Sequence, residues 1–423
     1  MANNFDSNVT RPLAKVFLEK FESARVVTKS INSQLLQGRF NPSTGSTVDF
    51  KRPTDYNSIR TSDGDISAST KSSIITGKAS GTVQNYFTVA TEWENVEEAL
   101  ESDQIEQLLA PMATRIVTDL EVDLAAYMQK NCNLVVGTPG TAVASWSDVG
   151  DVYATMDSIG IPKDQPWNYV MNPFATKVLA DLQNSLSAGD RLVESAWEMS
   201  QISSKFAGMR VFTSNALKSF TSGASADRSG TLSATPDATY VTHKDTMIQS
   251  LAVTGFTASG TIKAGDAIEI ADNSRNRLNL STRETVVGGS GAAIKWRGVV
   301  TADVTLGASG EGTILVAGPA INETNGQYNT VSSALASGDV VTLLGSTAQL
   351  RQPNLFYHPQ AFGIGTVKLP KLYSTDTVAT TEDGFSIRVS KYADGDANVQ
   401  KVRFDLLPAY ATFNPFFAGQ GWG

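Results

Sequence analysis

Two histidines, one cysteine and a glycine pair are the residues of this 423-residue chain whose types first suggest chemistry. His358 stands in "NLFYHPQAFGIGTVKLPK", residues 354–371, with Gly363 and Gly365 just behind it. A histidine beside a glycine-rich loop would be a general acid or base next to a phosphate cradle. The spacing points elsewhere. A dinucleotide loop needs a third glycine and a helix to receive the phosphates, and Gly365 is followed by Thr366, Val367 and Lys368. Pro359 biases His358 towards extended backbone, which suits a strand end or a turn. His243, in "YVTHKDT", falls in Gly- and Thr-rich text where an exposed polar role is expected. No Gly-x-Ser-x-Gly elbow is present for a hydrolase triad, and "TGKAS" at 76–80 lacks the upstream glycine and the placed hydroxyl of a phosphate loop. Cys132 and two distant histidines do not make a zinc set. The lone cysteine reads as a small buried apolar group and excludes an internal disulfide.

The acids give the remaining route to chemistry. "EWENVEEALESDQIEQ", residues 92–107, holds seven acids and no base, but a calcium loop places its acids around a glycine turn and none is here. The stretch is expected to be a solvated face or a subunit contact. With 42 acids in the chain some carboxylate pair is inevitable, so a carboxylate-based hydrolase stands as an alternative that no particular pair supports. A formal charge of −8 argues against tight wrapping of nucleic acid, which needs clustered Lys and Arg to neutralise phosphates. The opening "MANNFDSNVTRPLAK" has no basic-then-apolar leader, and nowhere do 18 apolar residues run together. The expectation is a cytoplasmic protein with no membrane partner and no cofactor.

Binding and assembly are therefore the expected chemistry, and the elements are read with that in view. Leu13, Val16, Phe17 and Phe21 form one stripe of an amphipathic helix that Thr10 can cap before Pro12. Residues 43–90 are polar and extended, with strand-like ends around a Ser/Thr/Asp-rich middle that has little core of its own. From Ile105 to about Asn131 apolar residues recur at three and four positions, which predicts a long helix that Pro111 kinks or opens. Residues 146–213 alternate helix, strand "WNYVMN", helix and strand "MRVFTS", a compact α+β unit. Between 221 and 346 lie 16 of the 34 glycines among short Thr/Val runs, so an inserted all-β domain of barrel or sandwich type is expected. The chain then returns to α+β text and ends with "GFSIRVSKYADGDANVQKVRFDLLPAY", a hairpin whose turn falls at Asp394-Gly395 and which closes a sheet.

In this order the segments resemble the major coat proteins of tailed bacteriophages with the Hong Kong 97 capsid fold, in the short-tailed Salmonella and Shigella phage branch that carries an inserted β domain. The resemblance rests on the amphipathic start, the polar excursion before a long helix, "NYVMNPFATKVLADL", "FAGMRVFTSNAL", "KAGDAIEIA", "LFYHPQAFGIGTVKLPK" and "RFDLLPAYATFNP". It implies an α+β fold with a long spine helix, an extended β loop, axial and peripheral domains, and an inserted barrel-like domain. The implied division is an N-terminal arm at 1–40, the extended loop at 41–90, spine helix and peripheral domain at 91–139, and axial domain at 140–220. The insert would be 221–346, the axial return 347–375, and the peripheral hairpin with the C-terminus 376–423.

The resemblance also implies an icosahedral shell of pentamers and hexamers built from copies of this chain around double-stranded DNA. It would be assembled in the bacterial host cytoplasm with a scaffolding protein and a portal protein, and end in the virion. The acidic composition agrees, because an acidic lumen lets packaged DNA move without sticking. A phage fibre or adhesin is the competing structural class, but a fibre should show a fixed-period repeat and none is found. Candidate intersubunit contacts are Phe17 and Phe21 on the first helix, and Lys51, Arg52 and Arg60 on the extended loop. The basic trio would face Glu94, Glu97, Glu98 and Glu101 of a neighbouring copy by charge complementarity.

Overall fold

The structure is a computed structural model, and it describes residues 18, 25–33, 35, 45–94, 105–185 and 204–423, except 273, 374–375, 382 and 395–398. The chain divides into two compact units, each assembled from separated stretches of sequence. Phe17, Phe21, Glu97, Glu98 and Glu101 lie outside the described residues, as does the turn expected at Gly395.

The first unit takes in the chain up to Asp49, Ser80–Ala125 and Phe362–Thr412. One sheet runs in the order Thr377–Thr380, Ser386–Asp394, Val399–Leu406, Phe87–Glu94, all antiparallel. The two strands of the expected hairpin are its central pair, with Phe385, Ile387, Val389, Val402, Phe404 and Leu406 buried. Inside this sheet Asp405 accepts from Arg388 through both Nε and Nη2, from Arg403 and from Thr88, so the buried carboxylate carries four charge-assisted or hydroxyl bonds. Burial alone would raise its pKa, and these donors outweigh that and hold it below the ordinary carboxylate value.

The glycines beside His358 belong to this unit. Phe362–Thr366 is a fully buried strand paired with Pro408–Thr412. A side chain at Gly365 would come within 2.5 Å of the Leu35 Cβ, and Leu35 also lies against Gly81. The "FGIGT" text thus clears space for a buried leucine and forms no phosphate loop.

The second unit takes in Phe50–Ala79, Ala126–Ala361 and Phe413–Gly423. Its mixed sheet has the order Leu134–Val136, Ala418–Gly421, Asn354–Tyr357, Asn168–Met171, Met209–Thr213, Lys205–Phe206. Helices α2, Trp146–Ile159, and α3, Pro173–Ser185, belong with it; α1, Ile105–Lys130, runs from the first unit into the second. Pro111 lies inside α1. Ser145 and Asp148 form a reciprocal capping box at the start of α2, and Gly160 ends that helix in the left-handed conformation at φ 85°. Val149, Val152, Met156 and Ile159 then fall on one buried face, packed with Trp167, Tyr169 and Phe356. Asn172 caps α3 by accepting from the Phe174 N–H at 2.8 Å.

Within the same unit lies a closed six-stranded barrel: Ile248–Thr254, Gly312–Ala317, Arg297–Val300, Ala267–Ile270, Val340–Leu343 and Ser229–Leu232. The chain is therefore mixed α+β with a true barrel, which resolves the choice between barrel and sandwich. Alternation builds it. Along Ile248–Thr254 the residues Gln249, Leu251 and Val253 are buried while Ser250 is exposed, and Trp296, Ile314, Val316 and Ile268 fill the interior. The short strands Phe220–Thr221 and Leu350–Arg351 pair where the chain leaves for the barrel and comes back.

Candidate assembly surfaces

The residues that looked chemical are structural in their surroundings. His358 is buried; its Nδ1 accepts from the Gln360 N–H at 3.2 Å, so Nε2 carries the proton and donates to Asp164 Oδ1 at 2.9 Å. Both ring nitrogens are engaged. Burial lowers its pKa, with the Asp164 carboxylate pulling the other way. Its backbone N–H donates to Phe417 O, which makes it a turn residue locked in place.

His243 departs from expectation: it is buried, with Nδ1 3.1 Å from Ile248 O and Nε2 2.9 Å from Asp237 O. The "YVTHKDT" text folds into a helical turn, Tyr240–His243, that carries the ring inward, which composition could not indicate. Cys132 is buried, and burial pushes its thiol up to about 12, far from reactive thiolate character. Among the described residues no His, Cys, Asp and Glu cluster suits a metal, and no described helix is long and apolar enough to cross a membrane.

The extended loop is the prominent surface feature. Thr47–Lys51 and Lys78–Val83 are strands, whereas residues 52–77 contain neither strand nor helix and are largely exposed. Tyr56, Ile59, Ile66 and Ile74 are apolar side chains presented outward along it, Ile74 at 77% exposure. Lys51 and Arg60 are exposed on the same loop. Arg52 is not: it is buried, with Nε donating to Lys78 O at 3.1 Å and Nη1 donating to Phe413 O. Burial lowers its pKa to about 10, against the opposing pull of Tyr240 and Asp245. Its guanidinium ties the root of the loop to its own chain, which removes it from the basic trio expected to reach a neighbour. Glu94 ends the strand Phe87–Glu94, paired in register with Val399.

Two anchors have no counterpart in the sequence reading. In the first unit Glu121 of α1, 3% exposed, accepts from the backbone N–H of Val26, Val27 and Thr28 and from the Thr28 hydroxyl. One carboxylate thus fixes the chain emerging from the N-terminal segment. Its signal was an acid next to Leu120 in an otherwise apolar stripe. In the second unit Asn133, just beyond α1, donates to Ala317 O at 2.8 Å and Gly318 O at 3.1 Å and accepts from Arg277 at 2.5 Å. Arg277 is itself buried, and burial followed by the nearby Arg297 lowers its pKa to about 9. Asn133 thereby bonds the end of the helix to the barrel.

Buried polar groups that hold backbone, with charged and apolar groups carried on an exposed arm, suit a structural protein better than a catalyst. The comparisons agree. Residues 1–422 match the family model described as P22 coat protein, gene protein 5. The major capsid protein of Acyrthosiphon pisum secondary endosymbiont phage 1 is 43% identical over 427 residues, covering all of both chains. The chain belongs to the P22 coat protein family. It is accordingly a virion coat protein that builds the phage shell from copies of itself, not an enzyme, and the fibre and hydrolase alternatives fall away.

Solved capsids also overlap at low identity. That of Ralstonia phage GP4 is 8% identical, covering 93% of this chain and 88% of that one, with a TM-score of 0.44. That of bacteriophage PhiM1 is 10% identical, covering 91% and 85%, with a TM-score of 0.42.

Proposed function

We propose that the chain builds its shell through the Hong Kong 97 capsid architecture, as pentamers and hexamers enclosing double-stranded DNA. In this reading α1 is the spine helix, residues 1–40 the N-terminal arm and 41–90 the extended loop. The peripheral domain is 91–139 with 376–423, and the axial domain 140–220 with 347–375, carrying the barrel as the insert at 221–346. A scaffolding protein and a portal protein complete the assembly in the host cytoplasm. The acidic chain faces DNA without gripping it.

The observation that carries the proposal is the extended loop itself. Residues 52–77 expose Tyr56, Ile59, Ile66 and Ile74 along a segment with no regular structure, which is costly for a protein that works alone. A neighbouring copy would cover that surface. Lys51 and Arg60 would meet Glu94, Glu97, Glu98 and Glu101 of that copy, while Phe17 and Phe21 would dock the N-terminal arm. Each contact is modest, and repetition over many subunits fixes the wall.

Charge reversal tests it. Lys51→Glu with Arg60→Glu should cut the yield of closed shells several-fold at low salt, with partial recovery when Glu97 and Glu98 become Lys. Unchanged assembly of the double reversal at low salt would show the pairing to be wrong.

A further inference from the structure

The extended loop is held near its root by a small face of the barrel domain, and one hydroxyl touches both of its runs. Tyr328 sits in a buried cluster with Tyr240, Met247, Ile321 and Phe416, against which Ile75 of the loop packs. Its ring stacks on Tyr240 with centroids 3.6 Å apart. The Tyr328 hydroxyl donates to Ile75 O at 3.1 Å and accepts from the Asp55 N–H at 3.2 Å. The outgoing and returning runs are thereby tied to one oxygen atom.

Flanking groups repeat the pattern. Gln327 Nε2 donates to Ser73 O at 2.8 Å, and Asn57 Nδ2 donates to Asn325 O at 2.6 Å. Arg283 pairs with Asp55 and also donates to Asn329 O at 3.0 Å. The Asn57 N–H donates to the Ser72 hydroxyl at 2.9 Å, closing the two runs on each other. Arg283 and Asn325 both hold left-handed backbone, at φ 60° and 55°, a conformation that non-glycine residues adopt at a cost. Two turns of uncommon shape are thus maintained where they present these groups to the loop.

We propose that this face of the inserted domain, centred on Tyr328 with Arg283, Asn325 and Gln327, aims the extended loop in the free subunit before any neighbour is met. The inference rests on the reading of that loop as an intersubunit contact. Without the face, a 26-residue segment with no regular structure would have to be ordered entirely at the moment of association, and that cost would come out of each weak joint. With it, the runs on either side of the tip are already directed, and only residues beyond Asn57 and before Ser72 await a partner. The barrel therefore contributes to assembly as a positioning element as well as a folded module, and Tyr328 is its central positioning residue.

The test uses the full chain. Tyr328→Phe keeps the stack on Tyr240 and removes both hydroxyl bonds; Arg283→Gln, on a partly buried side chain, removes the ion pair and is the second variant. Hydrogen exchange of the free subunit should show the amides of Asp55 and Asn57, bonded to Tyr328 and Ser72, exchanging at least fivefold faster in both variants, with the barrel strand Gly312–Ala317 unchanged. Closed shells should form several-fold more slowly. Unchanged exchange at Asp55 and Asn57 overturns the inference.

A third variant, with residues 59–71 replaced by a short Gly-Ser link, separates the failures. If it blocks shell formation while Tyr328→Phe loosens the loop yet assembles at the wild-type rate, the loop matters and its aiming does not, and the inference falls. If the Gly-Ser variant also assembles normally, the reading of the loop as a contact has failed, and the inference falls with it.

Discussion

The barrel and the extended loop that it holds are both written in Ser, Thr, Gly and Asp, yet they are ordered by opposite means. Each barrel strand has two neighbours, and its alternating side chains close around Trp296, Ile314 and Val316. The loop has Tyr56, Ile59, Ile66, Ile74 and Ile75 as its large apolar residues, too thinly spread along the segment to repeat as the alternating face of a strand or the continuous stripe of a helix. It has no face to bury, so its order is borrowed from Tyr328, Arg283 and Arg52. Periodicity, more than composition, decides which of two similar texts makes its own core.

That contrast is broken most severely from inside the barrel. Trp296→Ala, at a fully buried site, should cost about 3–5 kcal/mol, read as a large fall in the urea midpoint of the barrel with loss of near-ultraviolet circular dichroism. If the loss is under 1 kcal/mol, the barrel is not held by its core.

The next effect lies where the barrel joins the rest of its unit. Asn133→Ala leaves the buried Arg277 without one of its acceptors and frees two carbonyls, and should cost about 2 kcal/mol in unfolding midpoint. Asn133→Asp, which restores an acceptor for the guanidinium, should be milder, and the two midpoints compared side by side check the assignment.

A smaller effect comes from pH. Burial holds the folded-state pKa of His358 below its unfolded value of about 6.5, so the unfolded chain takes up the proton first as pH falls. The stability from this group is complete above that value and declines as pH drops through it, until the lower folded value is passed. His358→Gln should flatten this part of the profile between pH 7.5 and 5.5. A profile as steep as wild type would place the acid sensitivity elsewhere.

Smallest of all is the loop tip. Ile66→Ser should shift the unfolding midpoint of the free subunit by no more than about 0.5 kcal/mol, because the residue is exposed and supports no core. Its effect belongs to assembly, seen by comparing shell yield with the unchanged midpoint.

Much of this was legible beforehand, for a physical reason. The apolar repeat that predicts α1 appears as Ile116, Leu120 and Leu124, all fully buried, because a helix of that length must place a three-and-four repeat on one side. Alternation identified the strands Ser386–Asp394 and Val399–Leu406, and glycine-punctuated Thr/Val runs identified an all-β insert. The motifs present assemble neither a triad nor a phosphate loop, so the sequence favours assembly over catalysis. These are local properties, and local spacing is what a sequence displays.

Other features depended on which distant residues meet. No pattern places His243 inward, makes the final strand Ala418–Gly421 an inner strand of a mixed sheet, or turns Arg52 from a surface cation into a root anchor. Tyr328 reads as an ordinary loop aromatic, and Glu121 as one more acid on a helix. By itself the sequence determined the helices, the hairpin, the inserted β domain and a non-catalytic calling, since period and composition act over neighbouring residues. Only the tertiary structure decided which buried polar groups hold the two extended segments, because a hydrogen bond between residues 55 and 328 depends on the path of the whole chain between them.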